Sequence, residues 1–450
     1  MSANLSFEQA PPLSVPFRFF LFAPLFGIAA GLLLILQGNE ALSSRWNPAT
    51  LALTHLFSVG FMLQAMCGAL LQFVPVATGG NVWRPTLIAD WVQPLLALAA
   101  VILVAAFLGG QAQTWLFPLV GLLFAVGLGL FIVVVGLALW QTPATGVTVH
   151  TLRLSLFGLA MTLFLGLLLV SMLGWQGRLI GLIEFTGWSL PRLINIHVAW
   201  GLGGWALLLV MAVSFMVVPM FLLTPAYPAR GSRWLPWVLL GVLALWSAVQ
   251  FVGNARVPGE LETLIVLSGL ACAALYALIT LWLQKNRRRR IVDPTFLFWR
   301  SGMLALLAMP LSWLFMLAVP EIGLHPRSLV WLGVLAFQGV FVSVISGMLY
   351  KIVPFMIWLH LQKFNSKTVL PPNMKQMIAE RQMRGQLLAH LAALALLLLA
   401  VIWPAFAPLA GGALVLAFAW LEWNLLQGLR VYVDFSRKHT PAAVQTQGSN

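Results

Sequence analysis

Apolar runs of membrane-crossing length recur along the whole chain, separated by short breaks rich in polar residues, proline and glycine. Within each run the hydrophobicity is continuous. Barrel strands would alternate apolar and polar positions, and these do not. Runs of about 18 or more apolar residues read as transmembrane helices. Twelve are expected, at roughly 17–37, 51–77, 88–109, 115–140, 153–174, 192–223, 233–253, 261–284, 297–319, 328–359, 386–403 and 405–430. The predicted fold class is therefore an all-α polytopic membrane protein, with one membrane domain over 1–450 and a tail at 431–450. The first sixteen residues hold no Lys or Arg, and the first apolar run is too long for a signal-peptide core, so no cleavable signal peptide is expected.

A second pattern lies inside the first. Three of the runs end alike, in "FVPV" (73–76), "VVPM" (217–220) and "IVPF" (352–355). Seven residues before each proline stand Gly68, Ala212 and Gly347, and fifteen before stand Gly60, Gly204 and Gly339. The three runs are four helices apart. The helices before them, the first, fifth and ninth, each begin with an arginine: Arg18, Arg153 and Arg300. The chain thus reads as three pseudo-repeated four-helix arcs, about 17–140, 153–284 and 297–430. Packing explains the small residues, because positions eight apart lie within roughly 80° on a helix and admit a neighbouring backbone. Packing does not exclude a site at the repeat interfaces.

Composition agrees with the pattern: 450 residues, 61% hydrophobic and 8% charged, where a soluble domain carries about a quarter charged residues. The net charge of +14 would suit nucleic acid if it were spread over a soluble surface. Its distribution points to topology instead. With the N-terminus in the cytoplasm, that side receives nineteen basic residues, with Lys351 near it, against five on the other: Arg45, Arg178, Arg192, Arg256 and Arg327. This is the positive-inside signature of an inner-membrane protein with both termini cytoplasmic, and the basic side would also attract anionic lipid. The run "KNRRRR" (285–290) reads as a topology anchor. Cys67 and Cys272 lie inside apolar runs and make no disulfide framework. There is no C-x-x-C-H, no Walker A loop and no Rossmann fingerprint.

Seven histidines remain. His150, His325, His360, His390 and His439 are expected in loops, the tail or helix ends, within reach of water or headgroups. His55 and His197 differ. They lie one to two turns inside the outer ends of equivalent helices, 20 and 22 residues before the repeat proline. Their depths differ by about 3 Å, and a two-residue offset turns them roughly 200° apart, toward different grooves. A polar ring at that depth is either a hydrogen-bonded group near the interface or a ligand, since imidazole is a usual holder of haem and copper. Glu422 is a carboxylate inside a span, with Lys351 at comparable depth. The two are expected to form a structural pair, with a proton-handling site as the alternative reading.

Two stretches carry a family resemblance. "PPLSVPFRFFLFAPLFG" (11–27) resembles the P-x-F-R-P-F-F lead-in to the first helix of the NnrS family, membrane proteins of the bacterial nitric-oxide response. "THLFSVGFMLQAMCGALLQFVPVATGG" (54–80) is similar to that family's H-x-x-x-x-G-F…G-F…VP-x-x-TG run. The wider architecture resembles subunit I of the haem-copper oxidase superfamily. The resemblance implies haem, copper or both as cofactors, with His55 where those oxidases ligate low-spin haem and His197 near their copper-binding histidine. His325 becomes a third cofactor candidate at the outer surface. The departures are as informative. The tenth run, "WLGVLAFQGVF" (331–341), has no histidine and Gln338 as its only polar residue, and the seventh run has none either. A proton-pumping terminal oxidase is therefore not expected, and whether the chain is an enzyme stays open. The expected function is haem or copper binding in a nitric-oxide response or in respiratory metal handling, with the lipid bilayer as partner and no nucleic acid. A permease for a small molecule or metal ion, and a scaffold without cofactor, stay open as alternatives.

Overall fold

The structure is a computed structural model that describes residues 7–174, 189–252, 258–288, 292–365 and 369–439. Arg178, Arg256, Arg289, Arg290 and the end of the expected tail lie outside the described residues. Among the described residues, twelve helices are long and apolar enough to cross a membrane: α1 (Ser14–Leu42), α2 (Pro48–Thr78), α3 (Pro85–Leu108), α4 (Leu116–Gln141), α5 (Val147–Gly174), α6 (Leu190–Leu222), α7 (Ala229–Phe251), α8 (Gly259–Lys285), α9 (Pro294–Ala318), α10 (Ser328–Phe364), α11 (Glu380–Ile402) and α12 (Pro404–His439). No strand occurs among the described residues. The protein is an all-α polytopic membrane protein.

Local chemistry sets the helix starts. Asn47 caps α2 by accepting the Ala49 N–H, and Pro48 follows it at the first helical position. Asp293 caps α9 through the Phe296 N–H, again with a proline next. Several helices outrun the apolar windows that predict them, α11 and α12 with polar ends. α11 begins at Glu380, where an Arg384–Glu380 pair at 2.7 Å stabilises a polar first turn. α12 continues to His439, and Arg437, Lys438 and His439 in its last turn suit the negative end of the helix dipole. A hydropathy window cannot see either extension.

The three repeat helices are the inner ones. Their most apolar windows are 83%, 67% and 67% buried for α2, α6 and α10, against 22–56% for the other nine. The outer helices turn Leu36, Leu122, Trp140, Leu311 and Leu388 outward, as a lipid-facing surface requires. Around the inner three, α4 packs on α5, α8 on α9, and α12 on α1, so the chain closes into a ring. The closing crossing is made by two glycines. A Cβ on Gly31 would stand 2.7 Å from the Gly411 carbonyl oxygen, and one on Gly411 would stand 2.6 Å from that of Gly31.

Each inner helix carries a wide-turn π segment around the first glycine of its pattern: Leu56–Met62, Trp200–Leu207 and Leu335–Val342. In the first and third arcs the glycine contacts match residue for residue. Gly60 backs onto Phe26 and Gly339 onto Ala305, while Gly68 backs onto Phe19 and Gly347 onto Phe298. That register puts Leu297, not Arg300, opposite Arg18. The arginines themselves behave differently. Arg18 pairs with Asp90 of α3, Arg153 binds the Leu139 carbonyl of α4, and Arg300 is exposed.

The expected Lys351–Glu422 pair does not form. Lys351 Nζ meets Asp293 Oδ2 at 2.6 Å, because α10 packs on α9 and the cap of α9 stands at the same level. Both partners are about a third exposed, so Lys351→Met is expected to cost under about 1 kcal/mol. A melting-temperature comparison in detergent checks this, and a loss of several kcal/mol would contradict it.

Candidate functional site

The outer ends of α2 and α6 are linked through Arg45, in the loop before α2, which donates to Asn195 of α6. His55 and His197 stand at the same interval from the first residues of their helices, Pro48 and Leu190. Their rings lie within electrostatic range of one another. The sequence places them in different grooves, and the reason for the difference is physical. That reckoning assumes unbroken α-helix between each histidine and its proline. The π segments at 56–62 and 200–207 intervene, and their wider turns reset the rotation of the outer ends.

Both rings are held. His55 Nδ1 lies 2.8 Å from the Leu51 carbonyl oxygen one turn back, so this nitrogen carries the proton and Nε2 presents its lone pair. The ring rests against Phe107 of α3, with centroids 5.0 Å apart. His197 lies beside the Thr162 backbone and against Gly166 of α5, and its Nδ1 is buried without a hydrogen-bond partner. Outside the pair, in the loop before α2, Arg45 donates to Asn195 Oδ1 at 2.7 Å and lies 4.0 Å over the Trp46 ring. Burial pushes its guanidinium down from the ordinary arginine value. His325 is elsewhere: it is exposed, and its Nδ1 accepts the Arg327 N–H at 3.2 Å. No described contact joins it to His55 or His197.

These residues can be tested against the two expected cofactors. A metal ion needs few donors, and two imidazole nitrogens are on hand. No group of three or more His, Cys, Asp or Glu gathers among the described residues, so the set is small and uncharged. Haem needs a slot beside α2. The side of α2 toward α10 and α12 is filled with rings: Phe57 stacks on Phe337 at 6.2 Å, and Phe61 meets Phe418 edge-on at 5.0 Å. Where α2, α6 and α10 converge, a cavity lined by Phe20, Met66, Val210, Trp299, Met348 and Ile352 offers about 60 Å³ and no polar lining. A pocket for a large ligand runs to about 300 Å³ or more. A macrocycle between α2 and α10 does not fit this packing.

A second polar group sits where the sequence predicts none. His390 is expected near a helix end with access to water, yet it is 1% exposed in the interior of the bundle. Its Nδ1 lies 2.9 Å from Gln338 Nε2 of α10 and its Nε2 2.7 Å from Ser343 Oγ. With the Gln338 amide donating to Nδ1, the ring's proton lies on Nε2 and is donated to Ser343. Nearer the N-terminal face, Tyr350 donates to Gln386 Oε1 at 3.2 Å and accepts from Asn424 Nδ2 at 2.8 Å. The signal for this seam is present in the sequence. Gln382, Gln386 and His390 recur every four residues on α11, and Ser343, Ser346 and Tyr350 share one face of α10.

No protein-family model matches the chain, and no curated protein matches it either.

Proposed function

We propose that this membrane protein holds copper, as the singly charged ion, between His55 and His197 near the face opposite the N-terminus. Two buried imidazoles at equivalent positions of α2 and α6, His55 with its Nδ1 held by the Leu51 carbonyl and His197 with its Nδ1 unpartnered, are the observation that carries the reading. Two neutral nitrogens with no carboxylate compensate little positive charge, and Arg45 adds a cation nearby. Both features favour a low-charge ion over a dication, and imidazole suits copper. Copper bound there would supply one-electron chemistry. The chain's own contributions are the Leu51 carbonyl, which sets the His55 tautomer, and the Phe107 and Gly166 walls, which limit where the rings turn. On this reading the protein is NnrS-like and haem-copper-oxidase-like in type, serves a nitric-oxide response or respiratory metal handling, and has both termini in the cytoplasm of a bacterial inner membrane.

Metal analysis of the purified protein after loading with Cu(I) tests the proposal. Wild type and His325→Ala should retain about one copper per chain, and His55→Ala and His197→Ala should each lose it. Copper that persists in both single variants, or a wild type that holds none, overturns it. An optical spectrum of the same samples, oxidised and reduced, tests haem. A Soret band that vanishes in His55→Ala would replace copper by haem as the ligand of α2.

A further inference from the structure

The seam between α10, α11 and α12 is two hydrogen-bonded groups with one break. On the side of the N-terminal face, exposed Gln382 carries a carbonyl 3.5 Å from Asn424 Nδ2, which leads to Tyr350 and Gln386. Deeper in, Ser301, Ser343, His390 and Gln338 are joined. Between the groups stands Ser346. It lies on the Ser343–Tyr350 face of α10, its side chain is fully buried, and its hydroxyl has no partner. Gln338 Oε1 and Asn424 Oδ1, at the inner and outer groups, are also buried without partners.

A bare hydroxyl in a membrane interior has no solvent to satisfy it, and an unmade hydrogen bond there is costly. Buried water is what satisfies such groups, where several polar partners converge. Here the orphan stands at the one break in a polar file, with a phenol and an amide on one side and a hydroxyl and an imidazole on the other. We infer that Ser346 binds an ordered water, and that this water closes a continuous hydrogen-bonded path from solvent at Gln382 to His390. The ligand class is water. The path leaves His390 a deeply buried imidazole hydrogen-bonded, through that water, toward the N-terminal face. This site is independent of the copper reading, since it lies on other helices and uses neither His55 nor His197.

Radiolytic hydroxyl footprinting with mass spectrometry reads bound water directly, because side chains beside ordered waters are oxidised even when buried. In the intact wild-type protein, Tyr350 and His390 should be oxidised several-fold faster than the equally buried Phe61 and Phe131. Ser346→Val fills the water position with methyl groups. It should bring His390 down to the Phe61 and Phe131 level and leave Tyr350, on the solvent side of the break, unchanged. Oxidation of His390 at the phenylalanine level in wild type overturns the inference. So does a His390 rate that Ser346→Val does not alter while Tyr350 keeps its own.

Discussion

Gly411→Leu is expected to abolish assembly of the helical ring. The hydrogen at Gly411 faces the Gly31 carbonyl, and a Cβ there would lie 2.6 Å from that oxygen and 2.7 Å from Ile35 Cγ1. Neither neighbour is the free end of a long side chain. Relief requires α1 and α12 to part along a long seam, so the cost should exceed about 3 kcal/mol, above the usual range for overpacking. The adjacent residue supplies the control. Gly412 has open space where its Cβ would go, and Gly412→Leu should lie within about 0.5 kcal/mol of wild type. Size-exclusion profiles and thermal melts in detergent compare the two. If they behave alike, the close crossing of α1 and α12 is wrong.

The second large effect is expected at His390. Replacement by leucine keeps the volume but removes two hydrogen bonds, leaving the Gln338 amide and the Ser343 hydroxyl without their partner. Gains from single interhelical hydrogen bonds in membranes average only about 0.6 kcal/mol. The penalty here comes from the groups left behind, at about 1–3 kcal/mol each. His390→Leu should therefore destabilise by about 2–4 kcal/mol, and adding Gln338→Leu and Ser343→Ala should restore part of that loss. Unfolding midpoints for the single and triple variants check this. A triple variant worse than the single one would mean that the polar contacts are net stabilising in themselves. His55→Leu should cost less, because His55 bonds its own helix and leaves only a backbone carbonyl that already serves the helix.

The helices are legible because apolar length is a one-dimensional signal, and all twelve spans lie where continuous hydrophobicity puts them. The proline and glycine pattern is legible for the same reason, and it marks the three helices that the structure buries most. What the sequence hides is rotation. The spacing from His55 to Pro75 and from His197 to Pro219 cannot show that π turns intervene, so it points the two rings to different grooves where the structure leaves them within electrostatic range of one another. Partners across helices are hidden too. Lys351 and Glu422 share a depth, but depth does not say which helix lies alongside, and Asp293 takes the lysine. His390 sits well inside α11 once the polar first turn from Glu380 is counted as helix, which shifts its apparent depth from a headgroup position to the interior.

The ring closed by Gly31 and Gly411 also sets an order of events during synthesis. Within this chain α1 is made well before α12, and the two pack against each other along a shared seam. Until α12 is inserted, Gly27 and Phe61 present a face with nothing to receive it, because Phe418 is what fills that space. Every nascent chain must therefore pass most of its membrane insertion as an open arc with an unpaired inner seam. A ribosome that stalls before α12 would release such an arc, and the exposed phenylalanine and glycine face is what a membrane protease or insertion chaperone would meet.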